Sequence, residues 1–227
     1  MPSRALPLPT LRNDLLISVI LATVLTGLSY LIGFQFKFID SVSYVELIAV
    51  WASYSCTYLC VMERRINYPI GAVAVIALMI LFYEQKLYSS ALLQVYLFPT
   101  LAYGWWYWRR DDNKRPVRHV SRDLSLVVIL TLTLAIWFIC QFVTNYMGAE
   151  MAQLDSSILV LSILAQFWMD RKVLECWLIW ILVDIISVYA YFQAGSFVVA
   201  IQMLLFLFNA IWGYYMWYNS MKVGQAI

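Results

Sequence analysis

Residues 103–108 read Tyr-Gly-Trp-Trp-Tyr-Trp, and residues 212–217 read Trp-Gly-Tyr-Tyr-Met-Trp. Both stretches follow one pattern: an aromatic residue, a glycine, two aromatic residues, one further residue and a tryptophan. They lie 109 positions apart, and each closes a long apolar segment. The same offset relates Tyr68 to Trp177. This correspondence predicts that the chain contains two copies of one structural unit.

Eight apolar segments account for most of the 227 residues, of which 63% are hydrophobic and 12% are charged. A helix of about 20 apolar residues crosses a hydrocarbon core of about 30 Å. So few residues remain outside the segments that no soluble catalytic domain fits. The predicted spans are residues 14–33, 44–61, 68–83, 88–107, 124–146, 156–169, 176–193 and 197–217.

The positive charges fall almost entirely on one side of these eight predicted helices. With the N-terminus in the cytoplasm, 13 of the 15 Lys and Arg residues are cytoplasmic, and only Lys37 and Lys86 are outside. This asymmetry is typical of membrane proteins. It predicts an all-α polytopic membrane protein with both termini in the cytoplasm, and it explains the net charge of +2 without nucleic acid. The thirteen are Arg4, Arg12, Arg64, Arg65, Arg109, Arg110, Lys114, Arg115, Arg118, Arg122, Arg171, Lys172 and Lys222.

The offset of 109 means that spans two to four repeat as spans six to eight. The two copies start four spans apart and have the same orientation, so they form a parallel repeat about an axis along the membrane normal. A substrate site is then expected between the two three-helix bundles, near the midplane. The predicted units are an N-terminal extra helix (1–40), a first repeat (41–108), a cytoplasmic loop with a linker helix (109–150), a second repeat (151–218) and a cytoplasmic tail (219–227).

Asp184 lies near the centre of span seven, where a carboxylate costs at least about 2.5–3.5 kcal/mol to insert. It must therefore face the interior of a bundle or a water-filled cavity. Trp177 and Trp180 precede it by seven and four residues, and Tyr191 follows by seven, so these side chains share one helix face. Two indoles beside an anion suit a flat, cationic aromatic ligand. The alternative is a structural hydrogen bond from Asp184 to a neighbouring helix.

Neutral amides occur in the other spans. Gln94 lies in span four, Gln166 near the end of span six, and Gln202 and Asn209 seven residues apart in span eight. Together with the indoles and the aspartate they are typical of a site for a ligand with an aromatic ring and several hydroxyls. Hydrogen bonds between helices are the alternative for each amide. Asn67, just before span three, either caps the helix or lines the site, and the sequence does not decide between these roles.

The tryptophans at the ends of spans four and eight have a simpler interpretation. Trp105, Trp108 and Trp217 are expected to form belts at the membrane interface, where amphipathic rings are enriched.

No cofactor or metal site is predicted from this sequence. The four cysteines lack metal-ligand spacing, and the phosphate-binding, dinucleotide-binding and zinc-protease motifs are missing. Membrane enzymes gather several carboxylates or histidines, often around a metal, whereas this chain offers one aspartate deep within a span. A transporter is therefore predicted, with a membrane enzyme or an assembly factor as distant alternatives.

Three stretches resemble the PnuC family of vitamin transporters. The resemblance covers about residues 40–218, and its most specific part is the Trp-x-x-Trp motif of Trp177 and Trp180 followed by Asp184. The three stretches are 67–71 (Asn-Tyr-Pro-Ile-Gly), 87–95 leading to 103–105, and 170–180.

The resemblance implies a SWEET-like fold of three, one and three helices and uptake of nicotinamide riboside by facilitated diffusion. A cytoplasmic ribosylnicotinamide kinase would trap the nucleoside by phosphorylation. Trp177 and Trp180 would hold the nicotinamide ring, and Gln94 and nearby amides would bind the ribose or the carboxamide. The resemblance also implies a bacterial cell inner membrane and a homo-oligomer, with a trimer as one arrangement.

One residue departs from the family pattern. Many relatives have Asn directly before the first motif tryptophan, whereas this chain has Cys176. If that amide contacts the ligand, selectivity changes, so thiamine or another flat vitamin such as riboflavin stays an alternative substrate.

Overall fold

The computed structural model describes residues 11–37, 42–84, 88–108, 116–120, 124–146, 152–193, 195 and 197–225. These residues form eight α-helices and no β-strand. Of the basic residues used to predict the topology, Arg4, Lys86, Arg122 and those at 109–115 lie outside the described residues. The helices are α1 (Leu11–Gln35), α2 (Tyr44–Val61), α3 (Asn67–Glu84), α4 (Tyr88–Tyr107), α5 (Leu124–Tyr146), α6 (Ala152–Asp170), α7 (Cys176–Gln193) and α8 (Phe197–Gln225).

The predicted helical spans are confirmed. Helices α2, α4, α5 and α7 begin and end at the predicted residues, and α1, α3 and α6 are longer than predicted by one to four residues at an end. Helix α8 continues eight residues past its predicted end because Met221 is buried in the core on that side. Among the described residues, α1, α2, α3, α7 and α8 are long and apolar enough to cross a membrane.

Helices α2, α3 and α4 form one group, and α6, α7 and α8 form a second. Within each group the middle helix, α3 or α7, packs against both of its neighbours. The groups meet where α2 packs against α8 and where α4 packs against α6. In the part of the chain that is described, α1 packs on α2 and α8, and α5 packs on α6 alone. Neither α1 nor α5 therefore separates the two groups.

The two ends of the bundle differ in charge. Helices α2, α4, α6 and α8 all finish at one end, where Arg64, Arg65, Arg171 and Lys172 lie. We call this the basic end and the opposite one the far end. At the basic end the Arg65 guanidinium lies 3.4 Å from the centre of the Trp105 ring, which joins the start of α3 to the end of α4.

Helix α1 is attached to the first group by polar contacts. Its Asp14 side chain, 1% exposed, forms an ion pair with Arg64 at the basic end. Further along, hydrogen bonds join α1 to α2, among them Ser55 to Ser18 (3.4 Å), Trp51 to Thr23 (3.1 Å), Ser29 with Tyr54 (2.9 Å) and Tyr30 to Glu46 (3.2 Å). These contacts keep α1 on the outer side of the first group.

Four contacts between the two groups join residues that are 109 positions apart, the offset of the two aromatic stretches. A residue that contacts its own counterpart lies beside the axis relating two repeats. This is the geometry that a parallel repeat would produce, with three pairs toward the basic end and one toward the far end. The pairs are Cys60–Met169, Glu63–Lys172, Trp108–Trp217 and Phe82–Tyr191.

Candidate ligand-binding site

A cavity of about 220 Å³ lies between the two helix groups. Its described lining residues come from α2, α3, α4, α6, α7 and α8, and none belongs to α1 or α5. The cavity is smaller than the roughly 300–1,000 Å³ that is typical for drug-sized ligands. It therefore fits a small molecule, and it occupies the position between two three-helix groups that the sequence predicted.

The structure brings together most of the residues that the sequence singled out. Eight of the nine line the cavity. The exception is Gln202, which is fully buried in α8 but is not a lining residue. The eight lining residues are Asn67, Gln94, Gln166, Trp177, Trp180, Asp184, Tyr191 and Asn209.

The two motif tryptophans stand at the wall of the cavity on α7. Trp177 is 1% exposed, and its ring meets the Trp217 ring edge-on, with centroids 5.3 Å apart. Among the described residues, the indole Nε1 atoms of Trp177 and Trp180 are both buried and have no hydrogen-bond partner. Buried N–H groups are nearly always paired. Two unpaired indole donors at a cavity wall are therefore available to a ligand.

Asp184 is the acidic residue of the same wall. It is 4% exposed and makes no hydrogen bond or ion pair with another described residue. None of the described lining residues is Lys, Arg or His. A carboxylate in such a place is costly unless a cation or donor meets it. The predicted alternative, a structural hydrogen bond to a neighbouring helix, is therefore wrong for the described part of the chain.

Three further polar atoms at the wall lack partners: Gln94 Oε1, Asn209 Nδ2 and Ser162 Oγ. They come from α4, α8 and α6, so they face the cavity from different sides. Acceptors and donors together suit a ligand with several hydroxyl or amide groups. Ser162 was not predicted from the sequence, although the 109 offset relates it to Ser53, which also lines the cavity.

Other lining residues are already engaged. The Asn67 amide donates to the Arg64 carbonyl at 2.8 Å, and the residue also lines the cavity, which is one of the two roles left open for it. The Gln166 amide donates to an Asp170 carboxylate oxygen at 2.8 Å. Tyr191 shares a hydrogen bond of 3.0 Å with Ser90 at the far end. These three contacts hold lining side chains in position.

The interfacial belt predicted for the terminal tryptophans is wrong for Trp217, which is fully buried. It packs against Trp177 and lies 6.2 Å from Trp108 between ring centroids. Trp108 donates its indole N–H to the Asp170 carbonyl at 3.2 Å. The two rings meet where the ends of α4 and α8 approach each other, between the two helix groups. Trp105 is 38% exposed, as a residue facing the surroundings would be.

Known proteins with similar sequences identify the family of this chain. The profile of a family described as nicotinamide mononucleotide transporter matches residues 43–219. The chain belongs to this family, the PnuC transporters. The nicotinamide riboside transporter PnuC of Escherichia coli (strain K12) is 29% identical, over 79% of this chain and 87% of that protein. The nicotinamide riboside transporter PnuC of Neisseria mucosa is 24% identical, over 79% of this chain and 74% of that protein.

The fold of this chain also matches that of a solved PnuC structure. The crystal structure of the vitamin B3 transporter PnuC superposes with a TM-score of 0.74 at 19% identity, over 91% of this chain and 92% of that one. The chain is thus a multi-pass membrane protein of a transporter family and not an enzyme. The match of residues 43–219 includes every described residue that lines the cavity and leaves out α1.

Proposed function

We propose that this PnuC-family chain carries nicotinamide riboside across the membrane, as the names of its relatives state for those proteins. The observation that carries the proposal is Asp184, a carboxylate that has no hydrogen-bond or ion-pair partner among the described residues and lies beside Trp177 and Trp180 in a cavity. Nicotinamide riboside is a pyridinium nucleoside with a flat, positively charged ring. Indole faces attract such a ring by up to about 2 kcal/mol when water is excluded.

The charge of the wall favours the nucleoside over its phosphate ester. A phosphate brings about 1.5 to 2 negative charges near pH 7. The described wall offers the Asp184 carboxylate and no Lys, Arg or His. The mononucleotide in the family description would place its phosphate near this carboxylate without compensation, whereas the riboside brings only hydroxyls. Gln94, Asn209 and Ser162 supply unpaired atoms for those hydroxyls or for the carboxamide.

We infer a parallel repeat of residues 41–108 and 151–218, joined by the linker helix of 109–150 as in a SWEET-like fold. Helix 1–40 and the tail 219–227 lie outside the repeat. The contacts between counterparts 109 residues apart support this division. The excess of positive charge supports placing the basic end, with both termini, in the cytoplasm of a bacterium whose inner membrane holds the protein.

Transport is then facilitated diffusion. The two repeats rock about the axis between them and expose the cavity to one side at a time. The concentration gradient of the riboside drives uptake, and phosphorylation by a cytoplasmic ribosylnicotinamide kinase keeps that gradient in place. A homo-oligomer, such as a trimer, is compatible with this scheme because each protomer has a complete cavity.

Calorimetric titration of the purified protein tests the proposal. Nicotinamide riboside should bind saturably, and nicotinamide mononucleotide should bind at least about tenfold more weakly (1.4 kcal/mol). Thiamine and riboflavin are titrated alongside, because Cys176 leaves selectivity among flat vitamins open. Trp180→Ala should lower affinity for the riboside at least about tenfold, whereas Trp106→Ala, at a residue 52% exposed and outside the cavity, serves as the control.

The other results are equally informative. Tighter binding of thiamine or riboflavin would replace the substrate and keep the site. Equal binding of riboside and mononucleotide would contradict the charge argument. No binding by any of the four compounds would overturn the proposal.

A further inference from the structure

We propose that the ion pair between Glu63 and Lys172 is the latch that closes the basic end of the cavity, and that it must break before a ligand passes that end. Glu63 directly follows the last turn of α2, and Lys172 follows α6. The inference rests on membership of a transporter family and not on the identity of the vitamin.

The latch lies on the path out of the cavity. Cys60 and Met169 line the cavity, and their sulfur atoms are 3.5 Å apart, so they form its floor at the basic end. Glu63 and Lys172 lie three residues further along the chain, just past the ends of α2 and α6. Their ion pair is therefore the next layer between the cavity and the basic end. Both side chains are buried, with 11% of Glu63 and 4% of Lys172 exposed.

Glu63 and Lys172 both have a left-handed backbone conformation, which is uncommon for residues other than glycine. Glu63 has φ 53° and Lys172 has φ 54°, the left-handed region in which glycine is the usual residue at the end of a helix. The flanking hydrogen bonds are also alike: the N–H groups of Glu63 and Lys172 each donate to the carbonyl three residues earlier, at 3.0 and 2.9 Å. The two residues are thus counterparts in the same strained position, and their side chains reach each other.

Glycine would adopt this backbone conformation with less strain than Glu or Lys. The presence of Glu63 and Lys172 here indicates that their side chains have a role. A buried ion pair adds little net stability because desolvation opposes the attraction, and its best attested role is to specify one arrangement among several. This ion pair favours the conformation in which the ends of α2 and α6 lie side by side. Its neighbours come from the remaining helices of the groups: Ser220 of α8 donates to Glu63 at 2.8 Å, and the Lys172 ammonium lies 4.7 Å from the centre of the Trp108 ring.

The far end is closed in a different way. There Phe82 and Tyr191, also counterparts, stack with ring centroids 5.9 Å apart and planes 3° from parallel. Among the described residues, the hydrogen bond of Tyr191 with Ser90 adds a polar contact at this end. Stacked rings slide apart without exposing an unpaired charge, whereas separating Glu63 from Lys172 leaves two buried charges to be solvated. Separate contacts therefore hold the two ends closed, and neutralising the ion pair should favour opening at the basic end alone.

The accessibility of a native thiol tests the latch without any substrate. Cys56 lines the cavity and lies one helical turn before Cys60. In a Cys60→Ser, Cys140→Ser, Cys176→Ser background, Cys56 is labelled with a membrane-impermeant maleimide in right-side-out and in inverted vesicles. Glu63→Gln should raise the labelling rate from the basic-end side at least about tenfold, because the open population rises by that factor. Labelling from the far end should not rise.

The chain offers a rescue and a matched control. Because the two sites are equivalent, Glu63→Lys combined with Lys172→Glu restores an ion pair in the same geometry and should return labelling to within about twofold of the parent. Asp14→Asn breaks another buried ion pair at the basic end, one that joins α1 to Arg64 and does not bridge the two groups. It should leave labelling unchanged. Each variant is first shown to be monodisperse, with thermal unfolding comparable to that of the parent.

Three results would overturn the latch. One is labelling of Glu63→Gln within about twofold of the parent from the basic-end side. Another is an equal rise in Asp14→Asn, which would indicate general loosening. The third is failure of the charge swap to restore slow labelling, which would leave Glu63 acting without Lys172. None of these depends on which vitamin binds, so the outcome is separate from that of the calorimetry.

Discussion

The Trp177 indole lies so close to Gly213 that a Cβ added to the glycine would stand 2.7 Å from two of its ring carbons. The glycine is therefore what lets the end of α8 support the tryptophan ring at the cavity wall. Gly213→Ala should displace Trp177 and cost about 1–3 kcal/mol of stability, as overpacking of a core does. Affinity for nicotinamide riboside should fall at least about tenfold. Calorimetry and thermal unfolding in detergent measure the two effects.

A matched glycine provides the control. An added Cβ at Gly27 in α1 would meet nothing within 4 Å, so Gly27→Ala should leave affinity unchanged and stability equal or slightly higher. Unchanged affinity in Gly213→Ala would show that the position of Trp177 is not critical for binding.

The same relationship occurs in the first group and shows what the sequence could predict. An added Cβ at Gly104 would stand 2.1 Å from the Tyr68 ring. Tyr68 and Gly104 lie 109 residues before Trp177 and Gly213. The 109-residue offset thus relates two equivalent contacts, Tyr68 with Gly104 and Trp177 with Gly213. Both contacts need a glycine, because an aromatic ring packed against a helix backbone leaves no room for a Cβ atom. The boundaries of α2, α4, α5 and α7 were equally predictable, since long apolar segments end where polar residues begin, whereas the end of α8 was not.

The sequence could not give the direction in which each buried polar side chain points. Gln94 and Gln202 are both amides in apolar helices, but only Gln94 lines the cavity. Ser162 was missed because a single serine in an apolar helix commonly bonds its own backbone. The Glu63–Lys172 pair was also missed, because the sequence alone does not show which residues of the two helix groups come into contact.

Loss of the side-chain amide should have different effects at Gln202 and Gln94: it should change stability at the first and ligand affinity at the second. Both polar atoms of the Gln202 side chain are buried without partners, which costs about 1–3 kcal/mol per unsatisfied group. Gln202→Leu should therefore leave stability equal or raised, with affinity for the riboside within about twofold of the wild type. Gln94→Leu should weaken binding clearly, because its free oxygen faces the cavity. A large loss of affinity in Gln202→Leu would place that residue in the site after all.

Asp184→Asn separates charge recognition from shape. The substitution keeps the size of the side chain and removes its charge, so affinity for the cationic riboside should fall at least about tenfold. The affinity of Asp184→Asn for the reduced riboside, whose ring carries no charge, should fall much less. Competition binding of the two compounds to wild type and variant measures the difference. Equal losses for both would mean that Asp184 acts as a hydrogen-bond acceptor and not as a counter-ion.

Transport should be independent of the proton gradient if the riboside gradient alone drives it. Among the described residues, the wall of the cavity carries one carboxylate and no His, Lys or Arg, so it lacks the chain of titratable groups typical of proton-coupled transporters. In vesicles that contain the kinase and ATP, a protonophore should leave the initial rate of uptake unchanged, whereas omission of the kinase should make uptake stop at equal concentrations. Strict dependence on the proton gradient would instead make Asp184 a proton carrier. In that case Asp184→Asn should abolish accumulation but still permit exchange of labelled riboside across the membrane.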